Sequence, residues 1–186
     1  MEGPDCIECR PWSPALRAAR FAYVLAPPAD DLVHALKYEG WPELATVMGR
    51  ELAKLEAPTA PSVVVAVPTT AGRLKSRGYN QAELLAKSVA EERHLPLRRA
   101  IVRVSEGRSQ TALTPTERRE NVRGVFAPAS PRHADVAGAD VLLIDDVLTT
   151  GATACEAASA LVDLGARSVT LLAFARALPS TPRRPA

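Results

Sequence analysis

Residues 141–153 read VLLIDDVLTTGAT, and this stretch decides the fold. Its apolar start predicts a buried strand that carries two adjacent carboxylates, Asp145 and Asp146, at its end. Two threonines and Gly151 follow and lead into an alanine-rich helix pattern over residues 152–164. The free N–H groups at a helix N-terminus favour a phosphate, and neighbouring carboxylates suit vicinal hydroxyls or a hydrated Mg2+. The stretch therefore predicts a site for a ligand of the ribose 5-phosphate type.

Other kinds of site also place acids after an apolar run. The magnesium-binding strand of a P-loop NTPase does so, but the chain has no G-x-x-x-x-G-K-[ST] segment. It has no G-x-G-x-x-G dinucleotide loop either. Acids at a strand end can simply cap a helix, yet that role leaves the TTGAT segment unexplained. A site for a phosphorylated sugar accounts for the whole stretch.

Strand and helix patterns alternate along the rest of the chain. Apolar stripes predict helices over residues 30–38, 44–55, 80–92 and 152–164, and apolar runs predict strands over residues 62–67, 97–104, 141–144 and 169–174. The alternation predicts an α/β fold, a doubly wound and mainly parallel sheet with helices on both faces. Ligands of such sheets bind at the carboxyl ends of strands, here after Val67 and Ile144.

Length and composition favour one soluble domain. The chain has 186 residues, of which 47% are hydrophobic and 24% charged, and its longest apolar runs are too short to cross a bilayer. The N-terminus lacks the basic and apolar regions of a signal peptide, so we expect a cytoplasmic protein with no membrane partner. The predicted organisation is a remnant finger and linker over 1–28, one domain over 29–178 and a disordered tail over 179–186.

Three cysteines are too few for a disulfide framework. Cys6 and Cys9 form a C-x2-C pair, which supplies two of the four ligands of a structural zinc site. The chain offers no second pair to complete it. We therefore expect the remnant of a finger, which holds zinc only if ligands come from elsewhere.

Positive charge is concentrated in two segments, although the net charge is only +2. Residues 93–123 contain eight arginines against three acids, and residues 73–77 contain three cations and no acid. Both segments suit a phosphate-rich ligand or a nucleic-acid backbone. Direct nucleic-acid binding stays an alternative, but aromatic residues make up only 4% of the chain and offer little surface for base stacking.

The 141–153 stretch resembles the phosphoribosyl diphosphate (PRPP) signature of the type I phosphoribosyltransferases. The resemblance implies their fold, with a small N-terminal helical hood. It also implies that Asp145 and Asp146 bind the ribose hydroxyls and, through PRPP and water, Mg2+. The 5-phosphate would lie on Thr149, Thr150, Gly151, Ala152 and Thr153, and the pyrophosphate on the loop of Pro68, Thr69 and Thr70. The cations expected to stabilise the pyrophosphate are Arg73, Arg103, Arg118 and Arg119, with residues 103–119 as a closing lid.

A narrower resemblance covers most of the chain. The segments LVHALKY (32–38) and RGYNQ (77–81), together with Gln110, Leu113, Arg118, Asn121 and Phe126, are similar to the ComF family. Its members are bacterial competence-associated proteins with a phosphoribosyltransferase domain. They commonly carry a zinc finger with two C-x2-C pairs, of which only Cys6 and Cys9 are present here. Further loop contacts are expected from Arg77, Gly78, Asn80, Gln81 and Gln110.

Two functions follow from this resemblance. The first is binding of Mg2+–PRPP and transfer of its phosphoribosyl group to an unknown acceptor, in association with DNA uptake. The alternative is a catalytically silent PRPP- or nucleotide-binding module that works with competence proteins on incoming single-stranded DNA. Enzymes for 6-oxopurines carry an acid at the position of Thr149, so salvage of those bases is disfavoured. Neither the acceptor nor the oligomeric state follows from the sequence.

Overall fold

A computed structural model of the chain describes residues 12–104, 124–129 and 136–178. The helices and strands, in chain order, are β1 (Leu16–Val24), α1 (Ala29–Tyr38), α2 (Leu44–Ala53), β2 (Val63–Ala66), α3 (Ala71–Arg77), α4 (Gln81–Arg93), β3 (Leu97–Arg98), β4 (Ile101–Arg103), β5 (Phe126–Pro128), β6 (Asp140–Leu148), α5 (Ala152–Asp163) and β7 (Ser168–Arg176). Predictions for the following lie outside the described residues: Cys6, Cys9, Gln110, Arg118, Arg119 and the tail over 179–186.

A five-stranded parallel sheet forms the centre of the fold, in the order β1-β7-β6-β2-β3. Consecutive valines in β2 and the apolar run of β6 pair directly, from Val63 opposite Val141 to Ala66 opposite Ile144. Such runs form strands that are covered on both faces. The predicted α/β fold with a mainly parallel sheet is confirmed.

Alternate side chains of β7 point to opposite faces of the sheet and are buried on both. Val169 and Leu171 pack on one side with α5, whereas Leu172 and Phe174 pack on the other with α1, α2 and α4. This alternation is the period of two that a strand imposes on its side chains. Helices cover both faces, as predicted. None of the helices in the described part of the chain is both long and apolar enough to cross a membrane.

The predicted linker over residues 1–28 is wrong for its second half. Strand β1 lies at the edge of the main sheet, paired with β7 from Leu16 opposite Val169 to Val24 opposite Arg176. The segment reads LRAARFAYV, and most of its residues are only half-buried. Because an edge strand is solvated along one side, arginines can interrupt its apolar pattern, and the local sequence does not identify it.

The predicted strand over 97–104 divides between two sheets. β3 pairs with β2 in the main sheet, and β4 pairs antiparallel with β5 in a separate two-stranded sheet. Ile101 and Phe126 of this second sheet pack into the core on the α5 side. Helix α3 was not predicted at all, because it buries no residue and therefore has no apolar stripe.

Candidate functional site

A cavity of about 260 Å3 opens at the carboxyl edge of the sheet, where β2 ends and β6 passes beyond it. It is lined by Lys37, Tyr38, Val67, Pro68, Thr69, Arg73, Arg77, Asn80, Gln81, Ala82, Arg103, Asp145, Asp146, Val147, Thr149 and Thr153. The cavity therefore lies at the strand ends after Val67 and Ile144, where the fold class predicts a ligand, and binding of a ligand there stays a prediction.

The two carboxylates belong to the last residues of a strand rather than to a loop. β6 continues through Asp145 and Asp146 to Leu148, because β7 pairs with it to that point. Asp145 is half-buried and Asp146 is buried. The N–H of Asp146 donates to Oδ1 of Asp145 at 2.8 Å, which holds the first carboxylate in place.

Burial raises the pKa of the Asp145 carboxyl to about 7, and the negative charge of Asp146 acts in the same direction. The Asp146 N–H, Lys37 and Arg103 lower the pKa of this carboxyl but do not restore its ordinary value. Near neutral pH the group therefore exchanges a proton easily. A ligand that brings positive charge or hydroxyl donors to it would favour the ionised form.

Lys37 reaches into this site from the last turn of α1. Its Nζ lies 3.0 Å from Oδ2 of Asp146, and the two side chains are 21% and 12% exposed. The neighbouring Tyr38 also lines the cavity. The sequence alone assigned no site role to Lys37 or Tyr38. The signal was the LVHALKY segment, which carried the family resemblance but no assigned role.

The RGYNQ segment joins α1 to the loop that follows β2. The Tyr79 hydroxyl donates to the Leu36 carbonyl at 2.7 Å, and Nδ2 of Asn80 donates to the Val67 carbonyl at 3.1 Å. The Arg77 guanidinium lies 5.2 Å from the ring centre of Tyr38. These contacts fix the cavity wall on two sides.

Not every residue of the RGYNQ segment lines the cavity. Arg77, Asn80 and Gln81 line the cavity, as expected of loop contacts. Gly78 does not line it; it ends α3 in the left-handed region, with a φ of 84°. Any side chain would be strained in that conformation, so a glycine is suited to this turn.

The loop after β2 presents a cation to the cavity. Pro68 and Thr69 line the cavity, whereas Thr70 begins α3 and its hydroxyl accepts a hydrogen bond from the Arg73 N–H at 3.2 Å. This cap starts the helix at the point where Arg73 enters the cavity wall. Thr70 therefore supports the expected pyrophosphate loop without lining the cavity.

Positive charge dominates the cavity. Lys37 lines it from α1, Arg73 and Arg77 from α3, and Arg103 from β4, against the two adjacent carboxylates. Arg103 comes from β4, where its guanidinium also lies 5.6 Å from the Phe126 ring centre. A polyanionic ligand that also carries hydroxyl groups matches this distribution.

Two residues of the TTGAT loop line the cavity. Thr149 and Thr153 line the cavity, whereas Thr150, Gly151 and Ala152 do not. Gly151 precedes α5 with a φ of 79°. The loop therefore leads into a twelve-residue helix whose first amides lie beside the cavity, an arrangement suited to a phosphate.

The residues of the cavity fit a magnesium ion that arrives bound to a phosphate ligand. Within the described residues no group of three or more His, Cys, Asp or Glu side chains is placed to hold a metal ion. Two adjacent carboxylates do line the cavity, and Mg2+ commonly takes one or two carboxylates together with water and substrate phosphates. The donor set is therefore suited to a metal–phosphate complex more than to a bare ion.

Comparison with known proteins gives similarity over most of the chain. A family model described as "Phosphoribosyl transferase domain" matches residues 53–184. The DNA utilization protein YhgH of Escherichia coli (strain K12) is 30% identical over 177 residues, which cover 90% of this chain and 74% of that protein. Competence protein ComFC of Bacillus subtilis (strain 168) is 28% identical over 86% of this chain and 67% of its own length.

Among solved structures, glutamine PRPP amidotransferase from B. subtilis aligns with a TM-score of 0.47 and 21% identity. The alignment covers 69% of this chain and 25% of that one.

Proposed function

This chain belongs to the phosphoribosyl transferase domain family, in its competence-associated ComF group, and we propose that it binds Mg2+–PRPP in the cavity at the carboxyl edge of the sheet. One observation carries the proposal: four cationic side chains line the same cavity as two adjacent carboxylates, beside the N-terminus of α5. PRPP has the matching parts, namely a diphosphate, a diol and a 5-phosphate.

Each part of the ligand has a proposed partner. Asp145 and Asp146 receive the ribose hydroxyls, and the loop at residues 149–153 receives the 5-phosphate. The diphosphate lies beside Arg73 and Arg103, with Pro68 and Thr69 beneath it. These roles are supported by the cavity lining and by the position of Arg73 at the start of α3.

The proposed reaction is displacement at the anomeric carbon of the ribose. A new bond forms between that carbon and the acceptor nucleophile while the carbon–oxygen bond to pyrophosphate breaks, and the leaving group departs with the bonding electrons. Mg2+ neutralises diphosphate charge when it is bound. The protein's own contribution is to hold the ribose through the two carboxylates and to neutralise the departing oxygens with Arg73 and Arg103.

The acceptor and the biological setting are also part of the proposal. The relatives are named for DNA utilization and for competence, which supports a role in the use of incoming DNA. Thr149 lines the cavity and has no carboxylate to serve a 6-oxopurine base. A ligand as highly charged as PRPP does not cross a bilayer, so the proposed reaction belongs in the cytoplasm.

Thermal unfolding tests the proposal. Saturating Mg2+–PRPP, at a hundred times its dissociation constant, should stabilise the protein by about 2.7 kcal/mol. For a chain of this size that corresponds to a rise in Tm of roughly 5–10 °C. The Asp145→Asn/Asp146→Asn variant should lose this rise.

Asp140→Asn is the matched control, because Asp140 lies at the opposite end of the same strand and pairs with Arg167 there. It should keep the full ligand-induced rise in Tm. Equal shifts in all three proteins, or none with millimolar ligand, would contradict the proposal. Binding without pyrophosphate release above background, across a panel of nucleobases, would instead favour the silent binding module.

A further inference from the structure

Trp12 lies against the outside of the TTGAT loop, although 138 positions separate it from Thr150 in the sequence. Its indole Nε1 donates a hydrogen bond to the Thr150 carbonyl at 3.1 Å. The ring also covers Gly151 so closely that a Cβ on that residue would lie 2.7 Å from ring atoms. Trp12 does not line the cavity, so it contacts the loop from outside the cavity wall.

The hydrogen bond fixes the orientation of one peptide group. In a trans peptide the C=O and the following N–H point in opposite directions. With the Thr150 carbonyl held by Trp12, the Gly151 N–H must point away from the indole. Glycine tolerates both signs of φ, so the Thr150–Gly151 peptide has little intrinsic resistance to turning over. A turned peptide would put a carbonyl oxygen in the place of the Gly151 amide, which belongs to the loop that the proposed function assigns to the 5-phosphate.

The indole is itself held on two sides. The Arg176 guanidinium, at the end of β7, lies 5.5 Å from the indole ring centre, and Arg176 is buried. The next residue, Ser13, shares a hydroxyl hydrogen bond of 3.0 Å with Ser159 on α5. The tryptophan therefore sits between the end of a central strand and the helix that follows the loop.

We propose that Trp12 is a positioning residue that holds the Thr150–Gly151 peptide in the orientation that receives the 5-phosphate. This inference rests on the proposed function, because it concerns the same loop. It predicts that loss of the indole N–H weakens the binding of ligands that carry a 5-phosphate. The binding of a ligand in the pyrophosphate subsite should not change.

Two measurements on the full chain test the inference, with Trp12→Phe as the variant and Trp41→Phe as the matched control. Phenylalanine keeps an aromatic ring but removes the N–H donor, and Trp41 is 56% exposed. In 15N NMR spectra without ligand, the amide signals of residues 150–153 should be single and sharp in the control. They should be broadened or doubled in Trp12→Phe.

The second measurement is calorimetric titration with Mg2+ and either ribose 5-phosphate or inorganic pyrophosphate. Trp12→Phe should weaken ribose 5-phosphate binding about tenfold, as expected for one lost hydrogen bond, and leave pyrophosphate binding within about twofold. Equal weakening of both ligands, or of neither, would overturn the inference. Thermal unfolding of both variants checks that they fold.

The NMR and binding measurements distinguish a failure of the inference from a failure of the proposed function. If the wild-type protein binds neither ligand, the proposed function fails, and the inference, which rests on it, fails with it. If the wild type binds ribose 5-phosphate but the loop signals stay unchanged in Trp12→Phe, the inference is overturned while the proposed function stands. If the wild type binds both ligands and Trp12→Phe binds them equally well, only the inference fails.

Discussion

Replacing Asp145 by asparagine should stabilise the unliganded protein above neutral pH, although it removes a carboxylate from the proposed site. The pKa of this group is raised from 3.8 to about 7. A raised folded-state pKa means that the folded protein binds the proton more tightly than the unfolded chain does. The stability that the proton supplies is complete below about pH 4 and is lost as the pH rises to about 7. Asparagine is neutral throughout, so it avoids this loss.

The magnitude follows from the size of the shift. A shift of roughly three pKa units corresponds to an upper limit of about 4 kcal/mol. Because Asp145 is only half-buried, solvent screening reduces the expected gain to about 1–2 kcal/mol. For this chain length, that gain raises the Tm by roughly 2–8 °C. The asparagine Oδ1 can still accept the Asp146 N–H, so the substitution removes charge and little else.

The assay is thermal unfolding without ligand between pH 4.5 and pH 8.5. The difference in Tm between Asp145→Asn and the wild type should be small at the acid end, grow through pH 7 and level off above it. Asp140→Asn, on the same strand, should give no gain at any pH, because that carboxylate pairs with Arg167 and accepts a hydrogen bond from Ser168. A gain for Asp145→Asn that does not change with pH, or its absence at pH 8.5, would refute the reasoning.

Three further substitutions test contacts around the site. Lys37→Met leaves Asp146 without its ion-pair partner, so urea unfolding at pH 8 should show a loss of about 1–3 kcal/mol. Tyr79→Phe removes the hydroxyl bond to α1 and should lower the unfolding free energy by about 1 kcal/mol in the same assay. Gly49→Ala places a methyl group against the Ser88 Cβ, well inside van der Waals contact, where α2 meets α4, and overpacking there should cost about 1–3 kcal/mol. An unchanged urea midpoint in any of the three variants would show that the corresponding contact contributes nothing to stability.

Local signals in the sequence were sufficient for the central strands β2, β6 and β7 of the sheet and for the two carboxylates of the site. The apolar runs of β2 and β6 are buried on both faces, which makes them continuous and easy to identify. Asp145 and Asp146 come directly after the apolar run of β6, so their place at the carboxyl end of a central strand was predictable. Their ligand roles, and those of the TTGAT loop, stay predictions.

Contacts between distant parts of the chain were not predictable in this way. Strand β1 pairs with β7 across most of the chain, and its arginines conceal the strand pattern because one side of the edge is solvated. Lys37 looks like any solvated lysine at the end of a helix until the fold brings Asp146 within 3.0 Å of it. Trp12 meets Thr150 only through the same long-range packing. A local pattern reports which face of an element is buried but does not report what it is buried against.

A crystal structure of the wild-type protein grown with Mg2+ and PRPP tests the central claim most directly. The account predicts the ligand in the cavity, with ribose hydroxyls within hydrogen-bond distance of Asp145 and Asp146, the 5-phosphate on residues 149–153 and the diphosphate beside Arg73. PRPP bound elsewhere on the surface, or in this cavity with its diphosphate on the TTGAT loop, would contradict the account.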